Sequence, residues 1–105
     1  MKTRRNPSAR QEALAERKLV EAVLTLRSAD ELRAFLRDLC TAAELQAMAD
    51  RWAVVECLRL GLPYREIHRR TGVSLTTIGR VARFLAHGGG GYALAAWRLG
   101  QVSHG

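Results

Sequence analysis

Apolar residues recur along the chain at three- and four-residue intervals, and no stretch alternates apolar with polar at period two. That pattern predicts helices and no sheet. Pro7 and Ser8 open a first helix running to about Arg27, with Ala15, Leu19, Ala22, Val23 and Leu26 as its apolar stripe. Ser28-Ala-Asp-Glu31 reads as a capping box, in which the serine and glutamate side chains satisfy free backbone donors at a helix start. The second helix follows, with Leu32, Phe35, Leu36 and Leu39 on one face. Thr41-Ala-Ala-Glu44 repeats the signature and opens a third, longer helix that ends near Gly61, with Pro63 just beyond. Leu45, Met48, Trp52, Val55 and Leu58 share one side of it, while Ala53, Val54 and Cys57 extend the apolar surface around it. A helix apolar nearly all round must be covered from several directions. A chain of 105 residues has little material for that, so a second copy is expected to help.

From Tyr64 the period continues through a short helix, breaks at Thr71-Gly72-Val73 and resumes after Ser74. Gly72 suits the left-handed conformation of a tight interhelical turn, and Ser74 suits a helix N-cap. Ile67, Val73, Ile78 and Val81 are the expected core between these two helices. Thr76, Arg80, Arg83 and His87 then fall on one outward face of the second helix. This is the layout of a DNA-reading helix-turn-helix, at residues 64–86. A plain helical hairpin with a solvated basic face has the same period, but short hydroxyls followed by arginines suit base edges and phosphates. Gly88–Gly91 interrupts the pattern, and Tyr92–Leu99 makes a sixth helix whose Leu94, Trp97 and Leu99 are expected to dock. The organisation predicted is a disordered basic tail at 1–7, a single helical DNA-binding domain at 8–99 and a flexible tail at 100–105.

Charge sharpens this picture. The formal net charge is +7, of which residues 1–10 supply +4 through Lys2, Arg4, Arg5 and Arg10. Residues 64–87 supply another +4, from five arginines against Glu66. The rest of the chain is near neutral, so the positive charge is gathered in a tail and in the helix-turn-helix, as a polyanionic partner requires. Cys40 and Cys57 stand in apolar helical contexts outside any metal-spaced cluster and read as two buried thiols. No signal peptide or membrane-spanning run is seen, and a cytoplasmic protein is expected.

The order of parts resembles a known family. Leu39-Cys-Thr-Ala-Ala-Glu-Leu-Gln-Ala-Met-Ala-Asp-Arg51, Tyr64-Arg-Glu-Ile67, Thr71-Gly72, Ile78, Arg80-Val81 and Gly90-Gly91-Tyr92 are similar to the tryptophan-repressor-related family, in its YerC/YecD-type branch. The resemblance covers roughly residues 12–99. It implies an all-α, six-helix fold, an intertwined homodimer and a DNA-binding transcriptional regulator. The tryptophan repressor holds its corepressor with a threonine, two arginines and a glycine; these fall on Thr41, Arg51, Arg80 and Val81. A valine stands where the indole would pack, which argues against tryptophan and leaves a small amino-acid-like corepressor as the alternative. Thr41 and Arg51 also have plain structural explanations, as a helix cap and as an ion-pair partner of Asp50 or Glu44.

The expected function is therefore sequence-specific binding of double-stranded DNA at a palindromic operator, with repression as its outcome. Ser74 would start the reading helix, Thr76, Thr77 and Arg80 would face the major groove, and Arg69, Arg70 and Arg83 would meet phosphates. The alternative is a non-specific nucleic-acid binder, disfavoured because no exposed aromatics interleave the basic residues. An enzyme is disfavoured too, because no nucleophile–base pair, phosphate loop, metal cluster or carboxylate pair appears. His68 occupies a position that often holds alanine and is expected to point sideways into water, where a pH response is conceivable.

Overall fold

The computed structural model describes residues 8–102. Among them are six helices and no strand: α1 Ala9–Leu24, α2 Ala29–Leu39, α3 Ala42–Arg59, α4 Tyr64–Thr71, α5 Leu75–His87 and α6 Gly91–Val102. The basic tail expected at 1–7 and the end of the tail at 103–105 lie outside the described residues. The chain divides between Thr41 and Ala42 into two compact units.

In the first unit, α1 starts on a full capping box. The Ser8 hydroxyl accepts from the Gln11 N–H at 3.2 Å, and the Gln11 amide oxygen accepts from the Ser8 N–H at 2.9 Å. The helix stops at Leu24, short of the expected Arg27. Thr25 is the reason. Its hydroxyl donates to the Ala22 carbonyl at 2.7 Å, and the Leu26 N–H turns instead to Val23 at 3.1 Å, a 3₁₀-type tightening that closes the helix. At α2 the Ser28 hydroxyl accepts from the Glu31 N–H at 3.1 Å. The expected reciprocal arm differs by one residue: Glu31 accepts from the Arg27 N–H at 2.7 Å, not from Ser28. Neither helix buries a residue, and Leu14, Leu19, Val20, Leu24 and Leu39 are all exposed, Leu24 by 77%.

The core belongs to the second unit. Val54 and Val55 of α3, Ile67 of α4, Val73 of the turn, and Ile78 and Val81 of α5 form one buried cluster. Burying such a side chain contributes about 1.5–3 kcal/mol, so this small cluster is what holds α4 and α5 at a fixed angle on α3. Only part of α3 meets the expectation of burial: Trp52, Cys57 and Leu58 pack partly against the cluster, while Met48, nearer the helix start, is exposed. Neither cysteine is fully buried, and neither is in a disulfide. The end of α3 is closed by a Schellman arrangement, with the Gly61 N–H bonded to Leu58 at 3.0 Å and the Leu62 N–H to Cys57 at 3.3 Å.

Two expectations about α6 are corrected. Leu94, Trp97 and Leu99 do not dock; each is about half exposed or more, and Ala96 is the residue buried. The small alanine lets the helix backbone come close to α3, where the Arg59 guanidinium donates to the Ala96 carbonyl at 3.1 Å. The helix also runs on through Gly100 to Val102, past the end expected at Leu99. Glycine in a helix costs about 1 kcal/mol but does not by itself end it. Arg59 lies alongside, with its Nη2 3.9 Å from the position a side chain on Gly100 would take.

Candidate nucleic-acid interface

The turn between α4 and α5 is built as its residue types require. Gly72 has φ +74 and donates its N–H to the His68 carbonyl at 2.8 Å. An L-residue there would pay for the left-handed backbone. Thr71 reaches back to the Ile67 carbonyl at 2.7 Å and accepts from the Val73 N–H at 3.1 Å, so the turn's polar groups are satisfied locally. The Ser74 hydroxyl accepts from the Thr77 N–H at 3.1 Å and donates to the Thr77 hydroxyl at 3.0 Å. Both hydroxyls are thereby engaged in holding the start of α5.

His68 is exposed, with its Nδ1 2.7 Å from the Val73 carbonyl. A carbonyl only accepts, so Nδ1 carries the proton. That bond is made by the neutral Nδ1–H tautomer and by the imidazolium alike.

The faces of α5 divide its candidate residues. Thr76, Arg83 and His87 are exposed on the outward side, opposite the buried Ile78 and Val81. Thr77 is half-buried and lies on the flank. Arg80 stands between these faces: it is exposed, yet its guanidinium carbon sits 5.4 Å from the centre of the Phe84 ring. On α4, Arg69 and Arg70 are exposed but not independent cations. Both pair with Glu66, Arg70 at 2.9 Å, and together they hold its carboxyl below the ordinary carboxylate range, Arg70 contributing most. Their side chains remain 73% and 54% exposed, so phosphate oxygens could still reach them in competition with Glu66.

Beside α5 lies a cavity of about 710 Å³. Arg51 of α3 forms one wall, and Thr77, Arg80, Val81 and Phe84 of α5 another. The glycine turn and Tyr92 close the third side, and Tyr92 is held against Trp52 with ring centres 6.3 Å apart. Two of the three polar residues expected from the corepressor pattern are thus brought to one space. Arg51 is half-buried, and Asp50, one of the acids expected to pair with it, accepts from Gln46 at 2.8 Å. Val81 is 1% exposed, its side chain spent on the core. Thr41 belongs to the other unit, exposed and immediately before α3. Phe84 and the glycine turn had no place among the expected site residues, and the exposure of Phe84 and Tyr64 among the arginines corrects the expectation that no exposed aromatic interleaves them. The spacing of Arg80 and Phe84, one helical turn apart, was the available signal. Among the described residues no group of His, Cys, Asp and Glu could hold a metal, and no helix is long and apolar enough to cross a membrane.

Residues 15–99 match the family described as Trp repressor protein. The protein YerC of Bacillus subtilis (strain 168) is 39% identical over 84 residues, which are 80% of this chain and 81% of that one. A solved structure described as a TrpR-like protein from Eubacterium eligens superposes with a TM-score of 0.79 at 38% identity, over 83% of this chain and 90% of that one. A second, from Staphylococcus aureus, gives 0.78 at 34% identity over 89% and 96%.

Proposed function

The chain belongs to the Trp repressor protein family, and from that we propose a cytoplasmic, DNA-binding transcriptional regulator that reads a palindromic operator as a homodimer and represses from it. One observation carries the reading. The buried cluster and the Gly72 turn hold α5 rigidly on α4 and α3, with Thr76, Arg80 and Arg83 exposed along it. A helix presented in this way can enter a major groove, with Arg80 reading bases and Arg83, Arg69 and Arg70 on phosphates. The tail at 1–7 would add non-specific or minor-groove contacts through its charge.

The dimer rests on exposed apolar surface. Leu14, Leu19, Val20, Leu24 and Leu39 in one unit, and Met48, Leu94, Trp97 and Leu99 in the other, are more surface than a monomer usually leaves uncovered. A second copy of the chain would bury it and bring two copies of α5 onto two half-sites.

Selection of bound duplexes from a random pool tests the function. Enrichment of an inverted repeat is expected, and no enrichment over scrambled competitor would reject specific reading in favour of non-specific binding. Arg80→Ala should then cost roughly 1–3 kcal/mol and relax base choice at one position per half-site. Arg83→Ala should weaken all duplexes about equally and reduce the salt dependence by about one phosphate contact per subunit.

A second reading concerns the cavity. Arg51 and Arg80 on its walls favour a small carboxylate ligand.

A further inference from the structure

Phe84 is 48% exposed on the helix proposed to meet DNA, an unusual place for a large apolar side chain with no core to fill. Its surroundings are specific. The Arg80 guanidinium lies over one side of the ring, 5.4 Å from the centre. On the side of the next turn is Gly88, where a Cβ would come within 3.0 Å of the ring's Cδ1 and 2.5 Å of the Phe84 carbonyl oxygen. A residue with a side chain at 88 would have to push the ring or its backbone aside. The absence of a side chain at Gly88 thus leaves the ring its place, and the arginine lies over it.

We propose that Phe84 is a positioning residue for Arg80: its ring holds the guanidinium in the DNA-competent orientation without any small molecule. This rests on the DNA-reading role of α5 proposed above. Arginine has many rotamers, and fixing one before binding removes part of the ordering cost at the interface. An exposed cation–π contact favours one arrangement by about two- to fivefold, equivalent to about 0.5–1 kcal/mol. A residue that is competent only part of the time loses apparent affinity by that fraction. Arg80 thus stands at the edge of the cavity and of the outward face at once, because an aromatic side chain of the same helix occupies the flank.

The test has two arms. On the selected operator, with no added ligand, Phe84→Ala is expected to weaken binding by about two- to fivefold per half-site, and Phe84→Tyr to keep it because the stacking face is kept. In an Arg80→Ala background Phe84→Ala should change nothing further, the non-additivity expected of a residue that acts through another. An effect of Phe84→Ala that persists without Arg80 would show a merely structural role and overturn the proposal. The second arm is NMR of the protein without DNA, in which the Arg80 δ protons should be shifted upfield by the ring in wild type and in Phe84→Tyr, and not in Phe84→Ala. Ordinary shifts in the wild type would overturn the stack while leaving the DNA-reading role intact. An upfield shift in a protein that enriches no operator would instead locate the failure in the DNA-reading role, and the positioning role would fall with it.

Discussion

The same substitution, glycine to alanine, is expected to act with opposite sign at two positions of the helix-turn-helix. Gly79 is inside α5, and a Cβ built there meets nothing within 4 Å. Alanine would remove the penalty of a glycine in a helix interior, about 0.8–1 kcal/mol per chain, with no packing cost against it. Gly72 also has open space around its Cβ position, but its φ is +74. There the cost is that of the left-handed backbone alone, about 1–2 kcal/mol, and it outweighs the gain from a less flexible unfolded chain. Urea unfolding followed by helical circular dichroism, at one fixed protein concentration, measures both. With a slope of about 1–3 kcal/mol per molar urea, Gly79→Ala should raise the midpoint by about 0.3–1 M and Gly72→Ala should lower it. Shifts of the same sign would refute the reasoning, because a Cβ has open space at both sites and the opposite signs rest on backbone conformation. DNA binding adds a second check. Gly79 lies on the outward side between Thr76 and Arg83, so the added methyl should weaken operator binding while it stabilises the free protein. A variant gaining in both stability and affinity would remove Gly79 from the DNA-facing side.

Unfolding of the wild type should shift to higher denaturant as protein concentration rises, because the proposed homodimer would bury apolar surface exposed on α1, α2 and α6; a folded monomer by light scattering at micromolar protein would contradict this. Calorimetry with tryptophan should show no tight site, since the Phe84 ring already occupies the flank of Arg80 beside the cavity; micromolar binding by wild type would overturn the claim. Glu66→Gln should tighten non-specific DNA binding and steepen its salt dependence by releasing Arg69 and Arg70. Because pairing lowers the Glu66 pKa in the folded chain, its contribution to stability is present above the ordinary carboxylate range and fades as pH falls through the lowered value. Glu66→Gln should flatten that acid limb, and an unchanged pH profile would show that the two ion pairs add nothing to stability.

The helices and their punctuation were legible in the sequence because caps and turns are made between residues a few positions apart. Ser8, Gly61, Gly72 and Ser74 act on backbone groups within five residues of themselves, so their residue types announce them. The core of the helix-turn-helix was legible for a related reason: on a 3.6-residue period, Ile67, Ile78 and Val81 can face only inward once the turn is placed. The departures arose where a short-range competitor or a distant neighbour intervened. Thr25 takes the Ala22 carbonyl where α1 ends, and Arg59, from a helix remote in sequence, donates to the Ala96 carbonyl of α6. The candidate site divides in the same way. Periodicity put Thr76, Arg80 and Arg83 on one face of α5. Whether Arg80 leans outward or over Phe84, whether Arg69 and Arg70 are free or shared with Glu66, and which residues wall a cavity with Arg51 are settled by rotamers and by the rotation of each helix against its neighbours. Those depend on contacts between segments far apart in the chain, and only packing brings such segments together.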